Sequence, residues 1–210
     1  MPYLEEIKNL RILNNEDLSN SDFSEIVSYG RASIDIETTG LDWKSNRLAT
    51  IQIYSDDLAI IYKEGGSYPT NLIELLRTPL VEKIFHHAMF DVRFITKLWD
   101  IKVTNVSCTK VASKILNKNQ DEHSLKQLLL TYLNIDIEKD MYDSNWLNNR
   151  LTEDQIRYAM NDVIYLEPLF DKIVGQISSH QLKEVSKASF DFIPYYAWLQ
   201  VNGYEGVFKH

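Results

Sequence analysis

Three β-type segments crowd between residues 31 and 62, and that succession constrains the chain more than any other feature. Arg31 to Glu37 reads Arg-Ala-Ser-Ile-Asp-Ile-Glu, which puts Ile34 and Ile36 on one face of a strand and Asp35 and Glu37 on the other. Thr38-Thr39-Gly40 breaks it. Arg47 to Tyr54 alternates Ile51 and Ile53 against Gln52 and Tyr54, and Leu58 to Tyr62 follows after a gap short enough for a hairpin. The three strands should therefore form an antiparallel unit. Downstream, strands and helices alternate. Helices are expected at Asn71 to Arg77, Ala88 to Trp99, Thr109 to Leu116 and Ser124 to Leu133, with strands at Glu82 to His86 and Val103 to Ser107. That order predicts an α/β fold, a mixed sheet flanked by helices. Thr152 opens a longer helix with Gln155 as its capping-box partner, and Pro168 should end or kink it. From Ser179 the chain is helical again and finishes in an aromatic tail.

A length of 210 residues with 44% hydrophobic and 25% charged residues suits one domain with a real core. We expect the domain over 1–175, and over 176–210 a helical and aromatic extension that serves as an oligomer contact. Cys108 is the one cysteine, so no internal disulfide can form. The N-terminus lacks a basic start and an apolar run, and no apolar stretch approaches the roughly 20 residues of a membrane span. These features point to the cytoplasm and away from membranes. The net charge of −8 should repel long polyanions at range. A nucleic-acid ligand would then have to be short, or meet a local basic patch, or be held through bound cations.

Asp35 and Glu37 have a plain explanation if their strand is a solvated edge. Asp91 interrupts an apolar helical stripe of Ala88, Ile95 and Leu98, yet an acid in a first turn is also favoured by the helix dipole. Tyr158 and Asp162, four apart on one helical face, could simply lock a helix to the core. Together they say more. Four carboxylates from three elements, each on a face expected to be buried, make a cluster that divalent cations would neutralise. Oxygen-only ligands suit Mg²⁺ or Mn²⁺. Two such ions about 3.5–4 Å apart clamp the attacking and leaving oxygens of a phosphodiester, and a neighbouring tyrosine can orient the attacking water.

These stretches resemble a known family. Asp35-Ile-Glu37-Thr-Thr-Gly-Leu is similar to the first motif of the DEDD exonucleases, His86-His-Ala-Met-Phe-Asp91 to the second, and Tyr158-Ala-Met-Asn-Asp162 to the third in its tyrosine subclass, that of RNase D. Glu122-His-Ser-Leu-Lys-Gln-Leu and Ser144-Asn-Trp146 resemble further RNase D signatures. Val106-Ser-Cys-Thr-Lys-Val-Ala-Ser-Lys, Leu182-Lys-Glu-Val-Ser-Lys and the Gly-Tyr-Glu-Gly-Val-Phe ending resemble the stand-alone nanoRNase C branch. The resemblance implies an RNase H-like, DnaQ-like exonuclease fold. It implies 3′→5′ hydrolysis of short single-stranded RNA, dinucleotides included, to nucleoside 5′-monophosphates. It also implies two divalent cations and a ring-like, octameric homo-oligomer. By the family pattern Asp35 would contact both metals, Glu37 and Asp162 would complete one site, Asp91 would hold the other, and Tyr158 would place the water. Thr38, Leu41, His86, Ser144 and Trp146 would meet the substrate. Two departures stand in the substrate region: Asn145 where the family has aspartate, and Tyr142 where it has glutamine.

Two other readings stand beside this one. The first is an RNase D-type RNA-processing enzyme or a DNA exonuclease; the acidic charge and the lack of an added helical nucleic-acid-binding domain speak against processing. The second is a catalytically silent scaffold on the same fold, against which the full set of five active-site residues speaks. His87 is expected to be packed or exposed rather than a zinc ligand, and Cys108 to be a packed small hydrophobe. The aromatics from Phe190 to Phe208 either cap the core or form a subunit interface.

Overall fold

The computed structural model describes residues 7, 9–137, 145–148, 150–204 and 206–208. Its elements run β1 (Asn9–Asn14), α1 (Asn20–Tyr29), β2 (Arg31–Thr38), β3 (Leu48–Ser55), β4 (Leu58–Lys63), α2 (Thr70–Arg77), β5 (Glu82–Phe85), α3 (Ala88–Trp99), β6 (Val106–Cys108), α4 (Thr109–Leu116), α5 (Leu125–Leu133), α6 (Glu153–Ile164), α7 (Leu166–Gly175) and α8 (His180–Val201). Among these residues the sheet has the order β1-β4-β3-β2-β5-β6. The expected antiparallel unit is present: β2 pairs with β3, and β3 with β4. Parallel β5 and β6 extend it on one side and parallel β1 on the other. This is the mixed α/β architecture that the sequence predicts.

β2 therefore sits inside the sheet, between β3 and β5, not at a solvated edge. Its alternation sorts two faces. Ala32, Ile34 and Ile36 enter the main core with α3, α5 and α7. Asp35 and Glu37 face the other way, opposite Gln52 and Thr50 of β3 in the antiparallel register. On that second face α6 packs a smaller core of Ala159, Met160 and Val163 against Ala49, Ala59, Ile61 and Trp146.

Local chemistry sets the boundaries. Gly30 ends α1 at φ +83°, and its amide returns to the Ile26 carbonyl. A left-handed residue is needed to turn directly into β2, and glycine takes it without strain. Thr152 and Gln155 form the anticipated capping box at α6, with both reciprocal bonds present at 3.2 and 2.9 Å.

Three expectations change. The helix from Thr152 breaks at Tyr165, not at Pro168; the proline lies in the first turn of α7, where its missing N–H has no helical partner to lose. The aromatics from Phe190 to Trp198 are not a tail after a helix but part of α8, which continues through Pro194. Leu98 is 39% exposed, so the apolar stripe of α3 runs from Ile95 to the buried Trp99 instead. β1 and α1 were not expected. α8 packs on α3, α4 and β6 and buries Phe190, Ile193 and Ala197 in the core, while Phe192, Tyr195 and Trp198 remain exposed.

Candidate active site

The carboxylates of Asp35, Glu37 and Asp162 come together, with ligand oxygens all within 4.8 Å of one another. Each arrives for a stated reason. Period-two alternation sends both β2 acids to one face. A β-bulge between Glu37 and Thr38 then turns the chain off the sheet, a feature that re-aims side chains beside functional sites. The second hydrophobic cluster seats α6 on β2 and β3, and the four-residue spacing brings Tyr158 and Asp162 to the same side.

The three acids line a cleft of about 560 Å³ together with Tyr158, Thr38, Leu41, Phe90, Asn145, Trp146 and Leu147. The loop after β2 is tied by its own bonds. Thr38 Oγ1 donates to the Gly40 carbonyl at 2.8 Å, and Asp42 accepts from the Lys44 amide and the Ser45 hydroxyl at 3.0 and 2.7 Å. Lys97 donates to the carbonyls of Trp43 and Lys44, both at 2.8 Å. A β-carbon on Gly40 would come within 2.6 Å of the Asn46 side-chain oxygen, so a larger residue there would have to displace that side chain.

Tyr158 stands beside all three acids. Burial, and then the charges of Asp162, Glu37 and Asp35, push its phenol well above the ordinary tyrosine value. The group is therefore a neutral hydroxyl over the physiological range, able to donate one hydrogen bond and accept others. The Trp146 ring packs on the Tyr158 ring at 6.0 Å between centroids, inclined at 45°.

Asp91 is placed differently. It is buried in the first turn of α3, 2% exposed, and it is not part of the three-acid cluster. Burial raises its pKa most, and Asp162 raises it further; backbone hydrogen bonds, one from Ile36, oppose both. It thus lies near Asp162 and against β2, on the core side of the cleft. His86 does not line the cleft; its Nδ1 is 2.9 Å from the Thr109 hydroxyl. Thr38, Leu41 and Trp146 do line it, and Ser144 and Tyr142 lie outside the described residues. Sequence reasoning missed Phe90 and Leu147 as cleft walls, and also the polar pair beneath it, in which Gln52 donates to the Thr50 hydroxyl at 2.6 Å. That pair is legible only once the register of β3 against β2 is known. Cys108 is buried, with its thiol pushed up by desolvation, as a packed hydrophobe should be. Burial first, and then the charges of Lys110, Arg93 and Lys114, lower His87 to about 4.

A family described as 3′-5′ exonuclease matches residues 10–178. The chain belongs to that family. It is a nuclease of the DnaQ and RNase D type, with relatives recognisable by sequence alone. Human Exosome complex component 10 is 32% identical over 126 residues, 60% of this chain and 14% of that protein. Ribonuclease D of Haemophilus influenzae is 28% identical over 125 residues, 59% of this chain and 31% of that protein. The chain thus spans less than a third of the length of these relatives. Solved structures match more fully. A nuclease in its apo form superposes with a TM-score of 0.88 at 32% identity, over 96% of this chain and 99% of that one. Brucella melitensis NrnC bound to pGG gives 0.86 at 30% identity, over 96% and 98%, and the same protein has been solved with bound Mg²⁺.

Metal binding is testable against the donor set itself. Three carboxylates that converge within 4.8 Å, with neither sulfur nor imidazole among them, fit a hard divalent cation. The family normally uses such ions, and the cluster is compatible with them.

Proposed function

We propose that this exonuclease removes nucleotides from the 3′ end of short single-stranded RNA, dinucleotides included, and releases nucleoside 5′-monophosphates. The observation that carries the reading is the convergence of Asp35, Glu37 and Asp162 under the Tyr158 hydroxyl, at the floor of one cleft. Two divalent cations, Mg²⁺ or Mn²⁺, would supply charge stabilisation and an activated water. Asp35, Glu37 and Asp162 would hold them. Asp91, buried beside Asp162 and bonded to the Ile36 backbone, would join them. The Tyr158 hydroxyl, its ring packed on Trp146, orients the attacking water. Thr38 and Leu41 flank the terminal nucleotide, and Trp146 closes the wall behind Tyr158. His86, its Nδ1 on the Thr109 hydroxyl, would meet the substrate as the resemblance implies.

Several observations support a short substrate. The net charge of −8 makes a long polyanion a poor partner. A ligand with one or two phosphates gains little from counterion release and loses little to such a surface. The match to NrnC, solved with pGG, runs over nearly the whole length of both chains. A cytoplasmic setting suits the single buried cysteine, and among the described residues no helix is long and apolar enough to cross a membrane. We also propose that the 176–210 extension belongs to the same domain and that the exposed aromatics of α8 contact further copies of the chain in a ring.

A cleavage ladder tests the function. RNA and DNA of 2, 3, 5, 7 and 20 nucleotides, labelled at the 5′ end, are treated with Mg²⁺, Mn²⁺ or chelator, using wild type and Asp162→Ala. Fastest loss of the RNA 2-mer, absent with chelator and in the variant, is the expected result. Fast trimming of the 20-mer that stalls at a few nucleotides would replace the proposal with an RNA-processing role.

A further inference from the structure

The wall of the cleft formed by residues 145–148 is thin and has space behind it. Trp146 and Leu147 line the cleft on one side and, on the other, a second cavity of about 180 Å³ lined by Asn14, Lys63, Glu64 and Gly65. Trp146 itself is packed into the small core under α6, and two described bonds tether the backbone on either side of it. At one end the Gln155 side-chain amide donates to the Asn145 carbonyl at 3.2 Å. At the other, Lys63 reaches from the last position of β4 and donates its Nζ proton to the Asn148 carbonyl.

Lys63 is an expensive way to make that bond. A lysine at the end of a strand ordinarily extends its ammonium into water. This one is 8% exposed. Burial pulls its pKa down, and no carboxylate among the described residues counters that. A buried ammonium held by a loop carbonyl from 85 positions along the chain serves the geometry of that loop better than it serves stability.

We infer that Lys63 is a positioning residue for the exonuclease reaction: it pins the 145–148 wall so that Trp146 holds Tyr158 against the three carboxylates. The chain of contact is continuous, from Lys63 to Asn148, through Trp146, to the Tyr158 ring. The inference rests on the reading of this cleft as catalytic. Gln155 fixes the other end of the same wall from the capping box of α6, so the two tethers should act as one device.

The test compares Lys63→Met, Lys63→Arg, Gln155→Glu and the Lys63→Met/Gln155→Glu double variant on a short RNA. Glutamate at 155 keeps the capping-box acceptor and sets a carboxylate oxygen against the Asn145 carbonyl in place of the amide donor. Full-length protein carrying 5-fluorotryptophan, with the Trp146 resonance assigned from Trp146→Phe, reports the wall directly without substrate or metal. Lys63→Met is expected to lower kcat roughly tenfold, the factor that about 1.4 kcal/mol corresponds to, with KM and melting temperature little changed. Its Trp146 resonance should shift or broaden, and arginine should restore both. The double variant should lose less than the product of the singles, since both act on one segment. If Lys63→Met does not fold, Gln155→Glu carries the same two readouts. An unmoved Trp146 resonance with kcat within about twofold of wild type, a margin worth only ~0.4 kcal/mol, would overturn the inference alone, provided Asp162→Asn is inactive. An Asp162→Asn variant as active as wild type would instead overturn the reading of the cleft, and the inference with it.

Discussion

Lys83 offers a perturbation whose size can be worked out in advance. It sits on β5 with no exposed surface, and its Nζ donates to the Thr78 carbonyl at 2.6 Å. Burial pulls its pKa from 10.5 down to about 7. The difference of 10.5 − 7, or about 3.5 units at 1.36 kcal/mol each, sets a ceiling near 5 kcal/mol on what charging this lysine costs the folded state. The sign follows from proton binding. Below pH 7 both states are charged and the whole cost is present. Between pH 7 and 10.5 the unfolded chain carries a proton that the folded chain does not, so stability rises with pH. Above that window the cost is gone. Lys83→Met removes the ammonium but leaves the Thr78 carbonyl without its donor, which costs about 1–3 kcal/mol. The net at pH 6.5 should be a gain of about 2 kcal/mol. For a chain of this size that raises the melting temperature by about 4–8 °C. At pH 10 the lysine is neutral and keeps its hydrogen bond, so the gain should vanish or reverse. Thermal melts followed by circular dichroism at both pH values, wild type against variant, measure the difference directly, because every other titration cancels. A stabilisation that does not depend on pH would show that the effect is packing and not charge. A loss of stability at pH 6.5 would refute the argument altogether.

The other expectations are shorter. Tyr158→Phe removes the hydroxyl while keeping the ring on Trp146, and should cut kcat by about a hundredfold with little change in KM, as loss of one proton-handling group does; a full-rate variant would remove Tyr158 from the mechanism. Asp35→Asn should raise the Mg²⁺ concentration needed for half-maximal rate by at least about tenfold, and a titration curve unchanged from wild type would contradict metal binding at this cluster. Arg31 binds Glu82, Glu167 and Asp171 at 3.0, 2.9 and 2.8 Å. Arg31→Met leaves those three acids mutually repelling at the base of β2 and should cost about 2 kcal/mol, allowing for its partial exposure, read as a lower denaturation midpoint. Gly30→Ala meets no atom closer than 3.9 Å, so its cost should be the backbone strain alone, about 1–2 kcal/mol, with catalysis intact.

What the sequence disclosed and what it withheld divide along the range of the interactions. Asp35 and Glu37 on one face, Tyr158 and Asp162 on one turn, and the capping box at Thr152 are all set by spacing within a few residues, and spacing is written in the chain. The depth of β2 is not. Whether its acids sit at a solvated edge or under a helix depends on β5 and α6 arriving from far along the chain, so the same alternation fits both outcomes. Asp91 shows the middle case. Its motif associates it with the other acids, but helix geometry turns it toward the Ile36 amide and into the core, leaving three carboxylates facing the cleft rather than four. β1 was hidden because Asn-Leu-Arg-Ile-Leu-Asn lies along an edge that buries little of it, so it carries almost no burial pattern to read. The break at Tyr165 was hidden because a proline in the first turn of a helix has no helical N–H bond to lose, so Pro168 does not mark the break. Lys63 is the extreme: nothing within ten residues of it suggests an active site. Its role exists only through a carbonyl 85 residues away, and the same holds for most of what fixes the shape of the cleft as distinct from its chemistry. Reactive groups in this fold are therefore recognisable locally, while the groups that hold them in place must be found in three dimensions.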